Sequence, residues 1–173
     1  MNLTTKENRV GRLLENGIPK NFVENIGEIE ELKYSVEKTD GAYFYIPIIS
    51  NYEIIIGHEI TPIYDCGDSF CVLAIKDNTK RIIYFELEND EIYRDYGLNW
   101  ALVLLDIMID YFDFAIDDGM TIQEFEAVGE KIGFGKSKEL FLLRNLSTEE
   151  YNANFSDDEK WRQEIAEKLK ILS

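Results

Sequence analysis

His58, Cys66 and Cys71 are the single histidine and the two cysteines of the chain, so imidazole or thiol chemistry would have to use them. His58 follows Gly57 and precedes Glu59, in a stretch that reads as an exposed turn. With Cys66 and Cys71 it supplies at most three soft ligands, where a structural zinc site takes four, and the cysteine spacing of five falls outside the finger pattern. The expectation is therefore thiols packed in a sheet, with no metal. Gly133-Phe134-Gly135-Lys136-Ser137 ends like a phosphate-binding loop. That pattern needs a glycine five places before its last one, and Glu130 stands there, so a turn between two helices is expected.

Carboxylates are the other candidates. Asp106, Asp110, Asp113 and Asp117 fall at spacings of four, three and four, which places them on one helix face. Such a line can hold a divalent cation or supply paired carboxylates for acid–base work. No Asp-x-Asp-x-Asp-Gly pattern accompanies it and no basic residue lies near it in sequence, so a hydrated face is expected. Glu86, Glu88, Asp90, Glu91 and Asp95 differ, because they crowd a strand end and loop together with Tyr93 and Tyr96. Loops tend to carry function, and tyrosines among carboxylates suit a grip on a basic protein.

Composition points the same way. Lys and Arg number 18 against 34 Asp and Glu, a formal charge of −16 over 173 residues. A field of that sign repels nucleic acid and anionic lipid and attracts basic partners; it also keeps a protein in solution. An apolar share of 45% and an aromatic share of 13% describe a folded chain with a sizeable core. Met1-Asn2-Leu3-Thr4-Thr5 opens no signal peptide, and two cysteines suit a reducing compartment, so the cytoplasm is the expected address.

The elements that must position these groups centre on residues 60–116. Stretches 60–65, 69–76 and 81–88 are rich in β-branched and aromatic residues, and short turn-forming links make them antiparallel hairpins. The middle one is apolar on both alternating faces, as a central strand is. Residues 43–46 and 52–56 read as further strands, for a sheet of four to six. A helix over about 99–116 is apolar on nearly every side, but its aspartates exclude a membrane span; it is expected to press on the sheet. Further helices are predicted over 4–16 (burying Val10, Leu13 and Leu14), from Pro19, from Thr121, over 137–146, and from Ser156 to the end. Thr121 with Glu124 and Ser156 with Glu159 have capping-box spacing. The last helix is expected to bury Trp161, Ile165, Leu169 and Leu172, and residues 147–158 to form a polar connection. The fold class is α+β: a mostly antiparallel central sheet flanked by helices. One domain is expected over residues 1–173, its part from 120 on a helical extension.

The block Ile60-Thr-Pro-Ile-Tyr-Asp-Cys-Gly-Asp-Ser-Phe-Cys-Val-Leu, then Arg81-Ile-Ile-Tyr-Phe-Glu, then the helix from Trp100 to Phe114, resembles the SMI1/KNR4 (SUKH) superfamily. Gly67-Asp68 and Tyr84-Phe85 stand at its pattern positions; Ile18-Pro19-Lys20-Asn21-Phe22 and Asp40-Gly41 echo its entry and a later Asn-Gly. The resemblance covers about a third of the chain. It implies a non-catalytic immunity protein that neutralises a cognate bacterial toxin, many such toxins being nucleases, with no shared catalytic residues and no cofactor. On that reading Asp65, Asp68, Glu88, Asp90 and Glu91, at turns beside the matched strands, pair with Lys or Arg of a basic toxin domain. A regulatory scaffold or small-ligand module of the same fold is the alternative, marked by an apolar pocket with a few polar groups. An enzyme would need a cleft gathering His58 with carboxylates.

Overall fold

The three stretches expected to form hairpins do so. A computed structural model describes residues 1–155 and 158–172. Its sheet holds β1 (Asn2–Leu3), β2 (Glu59–Cys66), β3 (Ser69–Lys76), β4 (Thr79–Glu86) and β5 (Arg94–Gly97) in the order β1-β2-β3-β4-β5. β1 pairs with β2 in parallel and the remaining pairs are antiparallel. Both central hairpins close through two residues. Gly67, at φ 59°, opens the β2–β3 turn at the position that only glycine takes freely. Asp77 and Asn78, at φ 49° and 67°, make the β3–β4 turn, a pair of left-handed residues whose twist matches the strands. β3 is central, and Ser69 through Ala74 are all buried, in agreement with its two apolar faces.

Two predicted strands are not strands. Residues 43–46 belong to a helix, α3 (Asp40–Tyr45), and 52–56 form successive turns. The reason is burial. Ala42, Ile46 and Ile49 are the residues driven against Phe70, Val72, Ile83 and Phe85 of the sheet, and spacings of four and three fit a helical path, not an alternating one. β1 and β5 were not foreseen, being too short or too polar to read as strands.

The chain divides into two compact units, Met1–Trp100 and Ala101–Ser173. In the first unit α1 (Lys6–Glu15) and α2 (Lys20–Asn25) precede a short 3-10 turn at Glu30–Leu32. Of the expected apolar face of α1 only Leu13 is fully buried, while Val10 and Leu14 are exposed. Two arginines of α1 reach β2 instead: Arg12 forms a two-point pair with Glu59 (2.6 and 3.0 Å), and Arg9 donates to the carbonyls of Pro62 (2.8 Å) and Ile63 (2.5 Å).

The second unit is helical throughout its described residues. α4 (Trp100–Ala115) is followed by a 3-10 turn and by α5 (Ile122–Ile132), which starts in the expected capping box of Thr121 and Glu124. α6 (Ser137–Arg144), α7 (Thr148–Phe155) and α8 (Asp158–Lys168) complete it. The connection expected at 147–158 is thus largely helix, and Ser147 opens it by exchanging hydrogen bonds with Glu150. The cap proposed for Ser156 lies outside the described residues. Tyr111, Phe112, Phe125 and Phe141 form one ring cluster with centroids 5.2–5.8 Å apart. Trp161, Ile165 and Leu169 are buried as expected, and Leu172 is exposed. No helix among the described residues is long and apolar enough to cross a membrane.

The aspartate line of α4 is not simply hydrated. Asp106 pairs with Arg162, whose second nitrogen lies 3.4 Å from Asp110, and both oxygens of Asp113 accept from Arg144 at 2.5 and 2.6 Å. The cations arrive from α6 and α8, which is why inspection of the neighbouring sequence found none. Arg144 is 5% exposed and its guanidinium lies 4.5 Å from the centroid of the Trp161 ring and 5.9 Å from that of Phe112, so its charge faces the Asp113 carboxylate and these two rings. Replacing it should strand Asp113 and open space beside Trp161. Arg144→Ala is expected to destabilise the second unit by about 3 kcal/mol, read as a lowered denaturant midpoint for that unit by hydrogen exchange of α6 and α8.

Candidate functional site

Asp65 is where the expected partner-binding set meets its first correction. It is 1% exposed, and a residue so placed cannot pair with a cation on another protein. A bulge explains why. The register passes from Pro62 opposite Val72 to Tyr64 opposite Cys71 and Asp65 opposite Phe70, so Ile63 is extra in β2. Counting alternation from Ile60 puts Asp65 on the other face; the extra residue turns it onto the face of Phe70 and Phe85. Pro62 has no N–H for the ladder, and the freed carbonyls of Pro62 and Ile63 are the ones Arg9 takes.

Turned inward, Asp65 meets the start of α3. Its Oδ2 accepts the N–H of Ala42 at 3.0 Å, and the N–H of Gly41 also points at the carboxylate. A Cβ on residue 41 would sit 3.0 Å from that oxygen, so Gly41 is there for close approach. The backbone of Asp65 also exchanges two hydrogen bonds with Glu37, at 2.8 and 3.2 Å. Burial pushes the carboxyl up to about 6, against the lowering effect of the two backbone donors. Asp65 therefore positions the segment that begins at residue 40.

The other four predicted residues lie at the surface, on one end of the sheet. Asp68, Glu88, Asp90 and Glu91 are exposed. Asp68 accepts the N–H of Leu87 on its carbonyl (2.9 Å), which sets the β2–β3 turn beside the loop after β4. Asp90 has a second task, because its two oxygens accept the N–H groups of Glu53 (2.8 Å) and Ile54 (3.2 Å). The Tyr52 hydroxyl donates to the carbonyl of Leu87 (2.9 Å). Three loops are thereby tied together, and Glu53 and Glu86 join the acidic set. Tyr93 braces it: its hydroxyl donates to Glu86 (3.1 Å) and accepts from Asn89 (2.9 Å). The result is a rim of six carboxylates from segments 51–54, 66–69 and 86–91, none of which contains a lysine or arginine. Sequence reasoning missed Glu53, since only the hydrogen bonds to Asp90 bring it there.

His58 is buried at 8% exposure, not at a free turn, and desolvation holds its imidazole below the usual range. It sits by the first residue of β2 and Cys66 is the last, so the strand's length, ~3.3 Å per residue, keeps them far apart; Cys71 faces Tyr64 from the next strand. Both cysteines are free. The three soft ligands are not brought together, and no group of three or more His, Cys, Asp or Glu suited to a metal occurs among the described residues. Gly133 to Ser137 is the turn between α5 and α6, with the Ser137 hydroxyl donating to the Phe134 carbonyl at 2.9 Å. An open groove of about 520 Å³ between β1, α1 and β2 is lined by polar groups such as Thr4, Asn8 and Glu15, and its Arg12 is already engaged by Glu59.

No family model, curated protein or solved structure matches this chain.

The Asp65 tie has a pH signature. Because its carboxyl titrates higher in the folded chain than in the unfolded one, the folded state binds that proton more tightly. Its contribution to stability is fully present below the unfolded value and fades as pH rises through about 6. Asp65→Asn keeps an acceptor for the α3 donors without the titration. Between pH 7 and pH 5 the native chain should gain about 1 kcal/mol relative to that variant, measured as the difference between their denaturant midpoints across the range.

Proposed function

We propose that this chain is a non-catalytic binding protein of the immunity type, which neutralises a basic toxin domain, such as a nuclease, in the cytoplasm of the cell that makes both. The observation that carries the reading is the rim: six carboxylates gathered from three loops by hydrogen bonds, with no cation in any of those segments. Ion pairs elsewhere absorb many of the chain's acids, as with Glu59, Asp106 and Asp113. At the rim the charge is left facing outward. Complementary charge of this kind speeds encounter and disfavours wrong partners more than it adds affinity, which suits an inhibitor that must reach its toxin quickly. The resemblance to the SUKH superfamily supports the same role.

Glu88 and Glu91 are the residues to test, because Asp90 also holds Glu53 and Ile54 in place. The proposal predicts that a reading frame beside this gene encodes a toxin domain that arrests growth when expressed alone, and that co-expression of this chain restores growth. With that domain in hand, the pair Glu88→Lys and Glu91→Lys should slow association about tenfold in low salt, with the difference shrinking at high ionic strength. Absence of growth rescue would overturn the function; an unchanged on-rate would remove the rim from the interface.

A further inference from the structure

The chain carries a charged residue at 30% of its positions, yet the twelve residues from Gly41 to Tyr52 include none. This segment is α3 and the turns after it. Ala42, Ile46 and Ile49 fill its inner positions, at 0, 0 and 6% exposure. The same helical path leaves Phe44, Tyr45 and Ile48 on the outside, at 65, 37 and 64%. These side chains are braced. The Phe44 and Tyr45 rings meet edge to face with centroids 4.9 Å apart, and Tyr45 lies 6.5 Å from the buried Phe70 ring. The N–H groups of Ile48 and Ile49 both donate to the Tyr45 carbonyl, at 2.9 and 3.2 Å.

The segment that carries the patch runs directly into the acidic rim. Tyr52 ends the uncharged segment and donates to the Leu87 carbonyl, and the next residue, Glu53, gives its N–H to Asp90. Phe70, under Tyr45, follows Asp68 by two positions. An apolar, aromatic centre beside a polar rim is how specific interfaces are built, and single exposed apolar residues would not have needed this bracing.

We infer that Phe44, Tyr45 and Ile48 form the contact centre for a protein that presents an apolar anchor bordered by Lys and Arg; this rests on the binding role proposed above. Charge selects the occupant. A second copy would bring carboxylate rim against carboxylate rim, and an anionic lipid surface would be repelled. A partner with cations around an apolar anchor satisfies both parts of the surface at once, the rim setting the rate of approach and the patch the rate of escape.

The probe is a short synthetic amphipathic helix with Leu and Trp on one face and Lys on the other, beside an analogue of equal charge whose apolar face is Ser. Titrated into the full isotope-labelled chain, the first peptide should shift the amides of residues 44–48 and of the 86–91 loop. Affinity should fall about tenfold or more for the Ser analogue and for the variant Phe44→Ser, Ile48→Ser, whose substitutions lie on exposed side chains. Glu88→Lys with Glu91→Lys should weaken binding in low salt only. If the serine variant binds as tightly as the native chain while the lysine variant does not, the patch is no contact centre and the acidic-rim reading stands. If neither variant matters, or neither peptide binds, both fall. Salt-insensitive dimerisation of the native chain that is lost in the serine variant would assign the patch to a second copy and overturn the inference.

Discussion

A buried carboxylate holds this surface in place. Asp65 is carried on the sheet, but what it grips is the start of α3, through the N–H groups of Ala42 and Gly41. The segment that starts there packs Ala42, Ile46, Ile49 and Ile55 on the sheet and carries the Glu53 turn that Asp90 catches. A carboxylate almost without solvent is costly unless its oxygens are hydrogen bonded, and here Oδ1 has no partner among the described residues. Burial wins over the donors, which is why its proton is held more tightly than usual. The N–H donors themselves favour the ionised carboxylate, so it is the burial cost of the charge that lowers stability once the carboxyl is ionised.

The bulge at Ile63 makes the tie possible, and it in turn depends on Arg9. A proline in a strand and an extra residue beside it leave carbonyls without ladder partners. A guanidinium from α1 supplies fixed donors to two of them. The first helix, an irregularity of β2 and the orientation of Asp65 are therefore one connected device. The residue that most resembles a surface acid by its place at a strand end is the one that the device turns inward.

Legibility in the sequence follows from whether the deciding interaction is local. The β2–β3 and β3–β4 hairpins could be read because Gly67 and Asp77-Asn78 fix their own turns, and the Thr121 cap because its partner is three residues away. α3 could not be read by composition: Tyr43, Phe44 and Tyr45 have strand propensity, and tertiary burial of Ala42 and Ile46 overrides it. The spacing 42, 46, 49 did carry the helical signal, masked by the apolar residues between. Ser147 with Glu150 was also visible as a cap, hidden in a stretch whose polarity suggested a connection. The α4 aspartates were misjudged because Arg144 and Arg162 lie 31 and 52 to 56 residues away. Of the five predicted contact residues, four are at the surface; the fifth, Asp65, stands next to a turn in the sequence but is turned inward by the bulge at Ile63.

The distribution of charge separates two uses of acidity in one chain. In the helical unit, arginines meet the α4 aspartates in half-buried pairs, where the charges serve cohesion. At the end of the sheet the carboxylates instead bind backbone N–H groups and a tyrosine hydroxyl, partners that orient them without neutralising them. Asp90 on Glu53 and Ile54 is the clearest case, since each hydrogen bond aligns a loop while leaving a full negative charge at the surface. A chain selected only for solubility has no need to concentrate acids, in segments without lysine or arginine, where three loops meet beside twelve uncharged residues that expose Phe44, Tyr45 and Ile48. Concentration and orientation of the acids beside an exposed apolar segment are the features on which the proposed binding role rests.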